Sequence, residues 1–160
     1  MDSKIVENHV KDVIAQLRRK LNVKDKTKYD DYGSGYASFF DCWLYRETAE
    51  FRLSPDREHY VGLVILFSRL SNHFVFLEGD KSWDKTSSGS YMPHFEMVDD
   101  LEHDEVRRIA DQAIPILEHR GMNRLMSEQL SEILPDGMKP HTILAERVYR
   151  QFDALFYWED

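Results

Sequence analysis

The sequence predicts an α+β domain: an N-terminal helix, an antiparallel β-meander of three to five strands, and C-terminal helices packed on the sheet. Three observations carry the prediction. Apolar residues recur at three- and four-residue steps over Ile5–Leu21 and again over Asp104–Arg120. Between them, from Tyr36 to Leu77, the chain changes to aromatic and β-branched runs broken by short polar turns. With 160 residues and 42% hydrophobic content it can bury one core of ordinary size, so residues 1–160 read as a single globular domain.

Each element follows from its own pattern. In Ile5–Leu21, the residues Val6, Val10, Val13, Ile14, Leu17 and Leu21 form one stripe of an amphipathic helix, which Asn22 can end. Lys24–Gly35 is polar, contains Gly33 and Gly35, and is expected to be a loop. Tyr36–Tyr45 reads as a strand, with Phe51–Leu53 as its expected partner before the Ser54-Pro55-Asp56 turn. Tyr60–Phe67 and His73–Leu77 flank Arg69–Asn72 and predict a hairpin with a four- or five-residue loop. Val61, Leu63, Ile65 and Phe67 share one face, while Val64 and Leu66 occupy the other, which predicts a central strand covered on both sides.

Gly79–Pro93 is expected to be a polar loop with Trp83 and Tyr91 embedded in it, and Phe95–Val98 a further short strand. Val106, Ile109, Ala110, Ala113, Ile116 and Leu117 form the stripe of the Asp104–Arg120 helix. Pro115 predicts a kink there and Gly121 a stop. Ser127–Leu134 reads as a short helix closed by Pro135-Asp136-Gly137. The last segment fits two patterns, since Leu144, Val148, Phe152 and Phe156 are helix-spaced, while Phe152, Ala154, Phe156 and Trp158 are strand-spaced.

Charge is distributed unevenly. The net charge is -8, yet residues 1–28 carry eight Lys/Arg against four Asp/Glu. The remainder is therefore strongly acidic, which repels nucleic-acid phosphates and favours basic protein partners. The basic stretch Arg18–Lys28 is read as the charged end of a helix, where cations complement the macrodipole. Met1–Leu21 lacks a continuous apolar run and no stretch nears the ~20 apolar residues that span a bilayer, so neither signal peptide nor membrane partner is expected. The one cysteine, Cys42, lies in an apolar run and cannot form an intramolecular disulfide, which points to a cytoplasmic setting.

The most one-sided segment is Glu96–Glu105 (EMVDDLEHDE), with six carboxylates, one histidine and no Lys or Arg. Part of it, from Glu102 on, leads into a helix whose N-terminus favours acidic side chains. Glu96, Asp99, Asp100 and Asp104 are the candidate partner-binding patch, with Trp83, Asp80 and Asp84 contributed by the neighbouring loop. A tryptophan among charged residues is either a loop anchor or an exposed hot spot. No metal or other cofactor is expected: His94-x-Glu96 and Asp99/Asp100…His103-Asp104 are the closest clusters, and neither has zinc-ligand spacing. Cys42 has no basic neighbour to activate it, and Gly33-Ser34-Gly35 is neither a nucleophile elbow nor a dinucleotide fingerprint.

Three stretches together, Tyr60–Trp83 (YVGLVILFSRLSNHFVFLEGDKSW), Pro93–Val106 (PHFEMVDDLEHDEV) and Phe152–Asp160 (FDALFYWED), resemble the small immunity proteins of bacterial polymorphic-toxin systems of the contact-dependent, Rhs and type VI kinds. The resemblance implies a non-enzymatic cytoplasmic protein that inhibits a cognate toxin domain by occluding its active site. Such toxins are often nucleases or nucleotide-modifying enzymes with basic clefts, which an acidic body complements. The competing expectation is a small hydrolase or transferase using His94, Glu96 and His103.

Overall fold

The computed structural model describes residues 3–29, 36–37, 39–83, 88–90, 95–130 and 158–159. They form an α+β fold. Helix α1 (Ser3–Leu21) is followed by strands β1 (Lys24–Lys28), β2 (Tyr36–Ala37), β3 (Phe39–Tyr45), β4 (Glu58–Ser68), β5 (His73–Trp83) and β6 (Ser88–Ser90). A 3-10 turn (Phe95–Met97), helix α2 (Asp104–His119), strand β7 (Asn123–Arg124), helix α3 (Ser127–Leu130) and strand β8 (Trp158–Glu159) complete them. The main sheet runs β1-β3-β4-β5-β6 with antiparallel neighbours, and β7 adds in parallel to β5.

The centre is the β4–β5 hairpin, paired from Glu58↔Trp83 to Phe67↔Phe74 across the Arg69–Asn72 loop. Its burial ignores the usual alternation: Val61, Leu63, Ile65 and Phe67 are buried, and so are Val64 and Leu66. Helices α1 and α2 pack on the first of these faces, against each other and against β1 and β4. The opposite face is aromatic. There Trp43 lays its indole across β4, and its Nε1–H donates to the Gly79 carbonyl of β5 at 3.0 Å. Gly62 and Gly79 are cross-strand partners, and Gly62 leaves the space that the ring fills. A Cβ at Gly62 would lie 2.5 Å from the Leu44 carbonyl oxygen and 2.8 Å from Trp43 Cε2. Tyr45 stacks on Trp43 at 4.3 Å, and Tyr60 leans against Tyr45.

Both long helices stop in the same way. Asn22 (φ 52) follows α1 and Gly121 (φ 80) follows α2, each in the left-handed region. The next N–H folds back onto the last turn, Val23 to the Arg18 carbonyl and Met122 to that of Leu117. Val23 and Met122 are thereby buried. Arg46 reinforces the first stop by donating to the Leu21 and Asn22 carbonyls. Pro115 lies within α2 on its exposed side.

Four expectations are corrected. Lys24–Lys28 is an edge strand, not a loop. Its Lys-Asp-Lys-Thr-Lys alternation exposes the lysines and half-buries Asp25 and Thr27, and edge lysines discourage pairing with another chain. Phe51–Leu53 contributes one bridge, Arg52 to Tyr60, so β3 pairs with β1 and β4 instead. Gly79–Trp83 continues β5, and Ser88–Ser90 pairs with it as β6, because the cross-strand ladder outweighs the polar composition. Phe95–Met97 is a 3-10 turn, and only Val98 bridges, to Leu77. Ser127–Leu130 is helical as expected, while residues 131–157, including Pro135-Asp136-Gly137 and the helix-spaced pattern, lie outside the described residues. Trp158–Glu159 takes the strand alternative and pairs with β2.

The two glycines test separate causes. Gly62→Ala should lower stability by about 2 kcal/mol through overpacking against Trp43. Gly121→Ala meets nothing within 4 Å, so it should cost only the left-handed backbone term, about 1 kcal/mol. Urea unfolding midpoints with Trp fluorescence report both, and only Gly62→Ala should alter the native spectrum.

Candidate functional site

Strand β5 has β4 along one side and a patchwork along the other. Asn123 and Arg124 pair with His73 and Phe74, Val98 bridges Leu77, and β6 pairs with Lys81–Trp83. The acidic segment is stitched to this edge, with the Asp99 N–H donating to the Phe76 carbonyl at 2.9 Å. It forms a shoulder beside the start of α2.

Asp99 organises that shoulder. Its φ of 63 turns the chain, a conformation Asp tolerates better than most residues. One carboxylate oxygen accepts from Arg124 Nη2 at 2.9 Å and the other from the Ser127 N–H at 2.7 Å. Arg124 also lies over the Phe76 ring, 4.7 Å from its centroid, and its buried Nε has no partner among the described residues. Asp99 is therefore a rigid tie between the 96–101 turn and the segment after β7. That segment carries Met126, 42% exposed, next in sequence to the Ser127 that Asp99 holds.

Two of the other carboxylates pair with arginines of α2. Asp104 pairs with Arg107 and Glu105 with Arg108, three residues on in the helix. Arg107 also donates to the carbonyls of Leu101 and Glu102. The N-terminus of α2 is capped from the sheet: Glu78 accepts the His103 N–H at 2.9 Å and faces His103 Nδ1 at 3.1 Å. Glu96, Asp100 and Glu102 are exposed. The helix acids thus act through arginines, and the turn acids present the outward charge.

The loop residues grouped with this patch separate by strand periodicity. Trp83 ends β5 on the aromatic face, with its ring centroid 6.1 Å from Trp43, 5.6 Å from Tyr45 and 5.5 Å from Tyr60. Lys26 Nζ sits 3.9 Å from its centroid. Trp83 is an anchor of that cluster, and the six residue steps along β5 from Leu77, which Val98 bridges, set it roughly 20 Å from the acidic turn. Asp80 points to the helix-bearing face, where Oδ2 meets His59 Nε2 at 2.6 Å. Asp84 and His94 lie outside the described residues.

A second charged cluster lies on the aromatic face, where sequence reading assigned no function. Asp41 is 4% exposed in an otherwise apolar strand, opposite Lys28 of β1. Burial holds the Lys81 ammonium below its ordinary pKa; the Asp41 charge opposes that shift and Lys28 and Lys26 add to it. The signal was present as the lone carboxylate in FFDCWLY and the alternating lysines of KDKTK, but it needed the strand register to join them. Burial also pushes the Cys42 thiol well above its usual range, so it is protonated and inert.

Comparison with protein-family models, curated proteins and solved structures finds no match to this chain. Function therefore rests on the site chemistry. No group of three or more His, Cys, Asp or Glu poised to hold a metal occurs among the described residues, and no described helix is long and apolar enough to cross a membrane. Ser54, His59 and Asp80 form a hydrogen-bonded string, with Ser54 Oγ 3.1 Å from His59 Nδ1. A carboxylate only accepts, so His59 Nε2 carries a hydrogen, and in the uncharged tautomer Nδ1 accepts the Ser54 hydroxyl.

Asp99→Ala should destabilise the fold by about 2 kcal/mol, since it leaves Arg124 and the Ser127 N–H without their acceptor. Asp99→Asn should lose less, and Asp100→Ala should stay within about 0.5 kcal/mol of wild type. Chemical denaturation of the three variants checks this ranking.

Proposed function

We propose that this chain is a non-enzymatic immunity protein that neutralises a cognate toxin domain by seating its acidic shoulder in a basic cleft. The observation that carries the reading is the Asp99 tie, which joins the turn bearing the exposed Glu96 and Asp100, with Glu102 just after it, to the segment bearing the exposed Met126. A fixed set of charges attracts a basic partner at long range, and a pre-ordered surface loses little conformational entropy on docking. Methionine adds an adaptable apolar contact. The sequence resemblance to immunity proteins supplies the class of partner.

The structure changes which residues can test this reading. Asp99 and Trp83 both hold the fold, so their substitution would mix stability with binding. Asp100 and Glu102 are the informative positions. The double variant Asp100→Lys/Glu102→Lys should slow association with the cognate toxin domain by roughly tenfold, flatten its salt dependence and change dissociation little. Protection of toxin-expressing cells should fall in parallel. Failure of the wild-type chain to protect, or full protection by the double variant, would sink the assignment.

The Ser54–His59–Asp80 string favours a second reading, a small hydrolase with Ser54 as nucleophile. The string has the Ser-His-Asp order of contacts found in hydrolytic triads. A fluorophosphonate probe should leave Ser54 unlabelled if the binding role is correct. Stoichiometric labelling, lost in His59→Ala, would establish the hydrolase instead.

A further inference from the structure

A cavity of about 300 Å³ lies between the N-terminal half of α1 and the turn of the β4–β5 hairpin. Its walls are Val6 and Val10 from the helix, Phe67 from β4, and Met122 from the segment after α2, with the 63%-exposed Ile5 at its lining. Its form is fixed by bonds that do not involve the acidic shoulder. The Arg120 carbonyl, 3.1 Å from His9 Nε2, ties the end of α2 to α1. Asn72 donates its side-chain amide to the Gly121 carbonyl at 3.0 Å, tying the same turn to the hairpin.

The lining specifies the ligand chemistry. Among the described residues that line the cavity, the polar ones are His9, Ser68, Ser71, Asn72 and His73, and none is Asp, Glu, Lys or Arg. An ionised ligand would lose hydration there without a counter-charge, so the site selects against it. The volume is about twice the roughly 150 Å³ of an apolar cavity that accepts benzene, which corresponds to two fused rings. It also reaches the lower end of ordinary ligand pockets, at about 300 Å³. A lining that includes Phe67, Met122 and two histidines favours an aromatic body over an aliphatic chain. Since a carbonyl only accepts, His9 Nε2 carries a hydrogen, and in the uncharged tautomer that this leaves, Nδ1 is the acceptor a donor-bearing ligand would use.

We propose that this cavity binds a small uncharged aromatic molecule of two fused rings bearing one N–H or O–H donor. This site is independent of the partner surface proposed above. Indole is the test probe and indole-3-acetate its charged counterpart. In the full chain labelled with carbon-13 methyl methionine, indole should shift the Met122 resonance saturably with one-to-one stoichiometry, Met122→Leu identifying the signal. Indole-3-acetate should bind at least about tenfold more weakly. Val6→Phe fills the cavity from α1 and His73→Phe from the hairpin, and each should abolish the shift while retaining the native circular dichroism spectrum. Two variants keep the test readable if one fails to fold. An unmoved Met122 signal at saturating indole, equal affinity for both probes, or undiminished binding by a folded filled variant overturns the proposal.

Discussion

The β4–β5 hairpin is buried on both faces, and most of the molecule's arrangement follows from that constraint. A strand with apolar side chains up and down must be covered twice; α1 and α2 cover one side, and on the other the strands' own rings, Trp43, Tyr45, Tyr60 and Trp83, pack together at one end. Unpaired charge in such a centre would be expensive, so exposed charge is displaced to the margins. The margin that carries the candidate site is the outer side of β5, where three separate segments add short pairings in place of one long strand. An interrupted edge leaves turns between its pairings, and turns are where side chains can face outward together.

The acidic shoulder shows why a charge count misstates a field. Of six carboxylates in ten residues, Asp99, Asp104 and Glu105 pair with Arg124, Arg107 and Arg108, which lie outside the decapeptide but within reach of it. Exposed pairs of this kind contribute little to stability. Asp99 is different: it and Arg124 are largely shielded, and its two oxygens are both used. One residue of the candidate patch is thus the one the fold uses to hold the acidic turn still.

Local sequence signals were sufficient wherever one segment controlled its own structure. The periodicity of Ile5–Leu21, the Gly121 stop and the Arg69–Asn72 hairpin loop were all legible, since helix ends and tight turns depend on neighbours in the chain. Strand assignments failed where pairing decided the matter. Lys24–Lys28 is too polar to be read as a strand alone, and it becomes one because β3 offers it a complete ladder. Gly79–Trp83 extends β5 for the same reason, and this extension removes Trp83 from the acidic patch and sends Asp80 to the opposite face.

The chain by itself therefore determined an α+β fold, its helices, its central hairpin and the location of its most acidic stretch. Those features are written in side-chain period and composition. Tertiary structure alone decided which carboxylates face outward, that Asp99 is a tie, that Asp41 sits opposite Lys28, and that α1, the hairpin turn and Met122 line one cavity. Each of these depends on residues distant in sequence being brought together, and strand register, which a two-residue period cannot specify without a partner, is what brings most of them together.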